Sequence, residues 1–114
     1  MEFNANNNEY IDIEDALKRT GGNRDLYKRL LKRFVEGNDI EALEAALTSG
    51  DMEEASHVTH TLKGVSANLS LVGINTASIN LEQAIKGGLE FTECFNALVL
   101  VYGATVKIIA DMTK

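Results

Sequence analysis

His60 and Lys63 stand three residues apart in the stretch His60-Thr61-Leu62-Lys63-Gly64-Val65-Ser66, with a glycine directly after the lysine. An imidazole held out in water presents a nucleophilic nitrogen at neutral pH. On a helix a spacing of three is nearly one turn, which sets the Lys63 ammonium beside the ring. In that place the ammonium can offer charge-assisted hydrogen bonds, of the kind phosphate takes, to an anion attached to the imidazole. Gly64 costs about 0.5 to 1 kcal/mol relative to alanine inside a helix, and close approach of another molecule or side chain gives a reason to keep it. Ser56 and Ala67 share the outward face and are small, so the imidazole stands above a shallow surface that a partner can cover.

The helix that must carry these groups is legible around them. Asp51 opens it, Glu53 and Glu54 occupy its first turn, where negative side chains favour the positive end of the helix dipole, and it runs to about Leu69. Ala55, Val58, Leu62, Val65 and Leu69 form one apolar stripe roughly 80° wide at 100° per residue, and His60 lies roughly 180° from its middle. The chain contains no proline, and its glycines punctuate segments of helical spacing. The pattern predicts a short helix over 13–19 capped by Asp12 and a longer one from Asn23 to about Gly37. A third, capped by Asn38 or Asp39, stops at Gly50. A fifth spans Gly73 to Lys86 with Ile74, Ala77, Ile79, Leu81, Ala84 and Ile85 largely on one side. The last spans Thr92 to Met112 with Phe95, Leu98, Val99, Tyr102, Val106 and Ile109 inward. Val99 to Val101 and Val106 are β-branched-rich, which allows a strand there, but the absence of partner strands favours a helix. The expectation is an all-α domain: an up-and-down antiparallel four-helix bundle over 10–114 with additional short N-terminal helices, preceded by a flexible tail over 1–9.

Composition narrows the function classes. With 17 acidic and 11 basic side chains the net charge is −6, the wrong sign for gripping nucleic-acid phosphates. Cys94 is alone and forms no internal disulfide, and no basic leader with an apolar core opens the chain, so the reading is cytoplasmic. No apolar run comes near the roughly 20 residues a membrane span needs, and no direct membrane contact is expected. Nothing resembles a Walker loop, a kinase glycine loop or a carboxylate cluster for magnesium, so no cofactor, ATP site or self-contained turnover is expected. His57 with His60 and Glu53 falls short of a metal ligand set. Cys94, with no basic neighbour in sequence, reads as packing. A bundle with no spare apolar face favours a monomer.

The heptad from His60 to Ser66 resembles the phosphorylation signature of histidine-containing phosphotransfer (HPt) domains, the intermediates of multistep two-component phosphorelays. Asp15-Ala16-Leu17, Gly21-Gly22 before Leu26-Tyr27, Leu30-Leu31-x-x-Phe34, Gly50-Asp51 and Leu81-Glu82-x-Ala84 extend the resemblance over Asp12 to about Thr113. One departure is Ser70, where the family often has glycine; Gly73 follows shortly, which implies a changed helix end and not a lost activity. The resemblance implies that His60 accepts a phosphoryl group from a receiver-domain aspartyl phosphate and passes it to another receiver aspartate. Lys63 neutralises phosphoryl oxygens, and Gly64 permits close docking. Glu82 or Gln83 orients the imidazole, and the metal ion belongs to the receiver. Partners are then receiver domains of response regulators or hybrid histidine kinases, and the chain is either free-standing or the cytoplasmic end domain of a membrane-bound hybrid kinase. The alternatives are a docking-only receiver-binding adaptor and the phosphoacceptor domain of a chemotaxis-type kinase.

Overall fold

The structure, a computed structural model, describes residues 9–37 and 39–113. Of the tail expected over 1–9 only Glu9, exposed in a turn, falls among them; the rest of that tail and Asn38, one of two candidate caps, lie outside the described residues. Among the described residues there are six helices: α1 (Ile13–Arg19), α2 (Arg24–Glu36), α3 (Asp39–Ser49), α4 (Met52–Asn68), α5 (Val72–Lys86) and α6 (Thr92–Met112). Among the described residues there is no strand, and the β-branched run on α6 is helical throughout. Three of the starts are set by one device, a side-chain oxygen that accepts an otherwise orphaned backbone N–H. Asp12 accepts from Asp15 at 3.0 Å, Asn23 from Leu26 at 2.9 Å and Asp51 from Glu54 at 3.0 Å.

Helix α4 packs against α3 on one side and α5 on the other; α5 also packs on α6, α2 meets α6, and α1 sits against α2. Leu31, Leu43, Leu62, Leu71, Ile74, Leu81, Leu98, Ile109 and Met112 are fully or almost fully buried where these elements meet. The result is a body of 41 × 21 × 21 Å, the proportions of a bundle whose longest helix rises about 1.5 Å per residue. Gly73 permits the approach of α5 to α6: a Cβ there would lie 2.9 Å from Val101 Cγ1.

The end of α4 is unusual. Leu71 N–H reaches back to Ser66 O at 2.8 Å, which places Ser70 in the left-handed region, φ 59°, where glycine is the ordinary choice. Ser70 is held there by its surroundings. Its hydroxyl donates to Asp15 Oδ2 at 2.7 Å, and its carbonyl accepts from Asp12 N–H at 2.9 Å. Asp15, bonded to Ser70 and to Arg19, is thereby kept below the usual carboxylate range. The buried Tyr27 hydroxyl donates to the neighbouring Leu69 carbonyl at 2.6 Å, and burial pushes that phenol upward. Both N-terminal helices therefore clamp the last turn of α4.

Three expectations need correction. The inward line of α6 is Leu98, Thr105, Ile109 and Met112, whereas Val99 is exposed and Val106 is half-buried. Steps of three and four residues follow the helix, and Val99, one residue past Leu98, is rotated about 100° away from the core. Second, α6 is apolar on most of its circumference, so Leu100 remains 75% exposed and the bundle does leave apolar surface uncovered. The same composition makes α6, over its 21 residues, long and apolar enough to cross a membrane by those two criteria alone, contrary to the expectation that no stretch is. Its buried line nonetheless packs in the bundle.

Candidate functional site

Helix α4 buries Ala55, Val58, Thr59, Leu62 and Ser66. Two of these are polar and remain compatible with the core because each hydroxyl bonds a helix carbonyl: Thr59 to Ala55 O at 2.7 Å and Ser66 to Lys63 O at 3.0 Å. Val65, assigned to the apolar stripe, is only half-buried. With that stripe facing inward, the His60 side chain is 66% exposed. Helix α5 buries Ile74, Ala77, Ser78, Leu81, Glu82 and Ala84; Ile79 and Ile85 lie at the edges.

A carboxylate in that buried set is costly unless its charge is met. Glu82, 7% exposed, meets three partners. Its Oε2 lies 3.0 Å from His60 Nδ1, its Oε1 accepts from Lys63 Nζ at 2.7 Å, and Lys86 Nζ is 3.6 Å from Oε2. The Lys63 hydrogen bond, with help from His60, holds the Glu82 carboxyl below the usual range despite its burial. An ionised carboxylate only accepts, so the ring nitrogen against it is the donor. Nδ1 therefore carries the proton, and the lone pair is on Nε2. Lys63, 31% exposed, is steadied through its backbone as well: Asn75 of α5 donates to the Lys63 carbonyl at 2.9 Å.

Around this trio the remaining predicted residues take different places. Gly64 is exposed, and a Cβ there would meet no heavy atom within 4 Å. Ala67 is exposed and Ser56 half-buried. Between the two candidates for the imidazole partner, the geometry selects Glu82; Gln83 is exposed, one residue and about 100° further round α5. His57 is exposed in a shallow recess with Asp51, Glu53 and Glu54, and among the described residues no three His, Cys, Asp or Glu side chains gather as a metal site would need. Cys94 is half-buried in the groove between α5 and α6. Lys86 and Asn75 escaped the sequence reading; Lys86 had a signal, its position four residues after Glu82 on the same helix.

The helical bundle thus holds the His60 imidazole outward, hydrogen-bonded through Nδ1 to a carboxylate shared with a lysine. The chain matches the Hpt domain family over residues 12–98 and belongs to it. No curated protein and no solved structure matches the chain. Membership implies phosphotransfer in two-component phosphorelays, in which Hpt domains act as phosphocarriers and interact with receiver domains.

Proposed function

We propose that His60 is the phosphoacceptor of this domain, taking a phosphoryl group at Nε2 from a receiver aspartyl phosphate and passing it to an aspartate on another receiver. The observation that carries this reading is the shared carboxylate: Glu82 binds His60 Nδ1 and Lys63 Nζ at once, which leaves Nε2 as the nucleophile and sets an ammonium next to it. In the loading step the Nε2 lone pair attacks phosphorus and forms the N–P bond, while the P–O bond to the donor aspartate breaks and its electron pair leaves on that carboxylate. Such transfers depend on in-line positioning and charge stabilisation, so one oriented nitrogen and one mobile cation suffice on this side. Lys63 neutralises phosphoryl oxygens, and the receiver supplies the metal ion. The domain needs no ATP site of its own in this reading and works in the cytoplasm.

The open surface at Gly64, with Ala67 and Ser56, is the docking platform for the receiver. Residues 10–114 are the functional unit, with α3 to α6 as an up-and-down antiparallel bundle; neighbour packing of successive helices across short connections supports that arrangement. Incubation with phosphorylated receivers tests the assignment. The chain becomes labelled, and His60→Gln abolishes the label; a label that survives the substitution places the acceptor elsewhere.

A further inference from the structure

Once Nε2 carries a phosphoryl group, the ring is an N-phosphoimidazolium, and its one removable proton is on Nδ1. Transfer onward breaks the Nε2–P bond, returns its electron pair to Nε2 and forms a P–O bond to the receiving carboxylate. With the proton still on Nδ1, the leaving group is neutral imidazole. Without it, the leaving group is an imidazolate anion, which departs far less readily. Whether the phosphoryl group can move on therefore depends on what holds that proton.

We infer that Glu82 holds the Nδ1 proton on phosphorylated His60 and so sets the pH range over which the phosphoryl group can be passed on. The inference rests on the reading of His60 as acceptor and adds to it a positioning residue that acts through the imidazole. Glu82 Oε2 already stands 3.0 Å from Nδ1, from a side chain that is 7% exposed and fixed at its other oxygen by Lys63 at 2.7 Å. Lys86, 3.6 Å from Oε2, remains as counter-charge when Lys63 turns to the phosphoryl oxygens. The charged groups that face Glu82 are thus His60 and Lys63 from α4 and Lys86 from its own helix. Among the described residues α6, which also packs on α5, brings no side chain into ion-pair distance of it.

An opposite charge at this range favours retention of a proton by about one pH unit or more, and the exposed imidazole argues for the lower end. Phosphoramidate transfers its phosphoryl group to histidine without any protein partner, so the loaded chain can be titrated on its own by 15N and 31P NMR. Nδ1 of phospho-His60 is expected to keep its proton to a pH about one unit higher than phosphohistidine in a short unstructured peptide. Glu82→Gln, which preserves shape, returns it to the peptide value. With a receiver present, transfer from the loaded wild-type chain persists to higher pH than transfer from Glu82→Gln, with rates a few-fold apart between the two midpoints and approaching about tenfold apart above both. A wild-type titration that coincides with the peptide's overturns the inference, and this comparison needs no variant to fold. If the titration shifts as expected while no receiver loads or unloads His60, the proton-holding role stands and the relay reading falls. A working relay with an unshifted titration sinks the Glu82 role alone.

Discussion

Replacing Gly64 separates what α4 needs for folding from what a partner needs of it. The residue has helical neighbours on both sides, is exposed, and has no heavy atom within 4 Å of the position a Cβ would take. Gly64→Ala therefore adds no clash and removes only the backbone-entropy cost of glycine, a gain of about 0.5 to 1 kcal/mol. An unfolding entropy of about 2.1 cal/mol/K per residue gives about 0.24 kcal/mol/K for a chain of this size, so the melting temperature rises by about 2 to 4 °C. Gly64→Gln keeps most of that gain and places a long side chain on the proposed docking platform, weakening receiver binding about tenfold or more, the equivalent of about 1.4 kcal/mol. Thermal unfolding followed by circular dichroism reads the first effect; calorimetric titration with a phosphorylated receiver reads the second. A lower melting temperature in Gly64→Ala would mean that the glycine serves internal packing. Undiminished binding by Gly64→Gln would mean that no partner closes over this part of α4.

Lys63→Ala slows phosphoryl transfer about 10²-fold, in line with the loss of one charge-stabilising donor, while receiver affinity changes only a few-fold; equal losses in both would make Lys63 a docking contact. The Glu82 carboxyl is held below its ordinary value of 4.5, so its stabilisation is present above about that pH and is lost as pH falls through its value in the folded protein. Glu82→Gln accordingly flattens the decline of stability in acid titrations monitored by denaturant unfolding, and an unaltered slope would assign that decline to other carboxylates. Ser70→Ala keeps the unfavourable left-handed backbone and loses the bond to Asp15, costing about 1 to 2 kcal/mol, whereas Ser70→Gly loses the bond but relieves the backbone and stays near neutral; denaturant midpoints distinguish them.

Helix boundaries were the most legible feature, because glycines and capping side chains mark them locally: Asp12, Asn23 and Asp51 each cap as their sequence positions indicate. The outward direction of His60 was equally readable, since it follows from the apolar stripe of its own helix. What crosses between helices was not. Whether Glu82 or Gln83 meets the imidazole turns on a rotation of one residue on α5, and periodicity determines a helix face no more finely than that. On α6 the apolar residues surround the helix, so they gave no direction, and Val99 was placed inward although Leu98 and Thr105 define the buried line. Ser70 could be noted as a departure from glycine, but its support comes from Asp15 and Asp12, more than fifty residues away in the chain.

With His60 as the proposed acceptor, the ion triplet under the imidazole also shapes how an anionic phosphate donor arrives. Lys63 and Lys86 against Glu82 leave a local surplus of one positive charge on a molecule whose total is −6. From afar the donor is repelled, and only within a Debye length, about 8 Å at physiological ionic strength, does the small positive basin dominate. Encounter is thus faster when salt screens the outer field, the reverse of the behaviour of oppositely charged pairs, and the final approach is steered toward the one face where the ring is waiting.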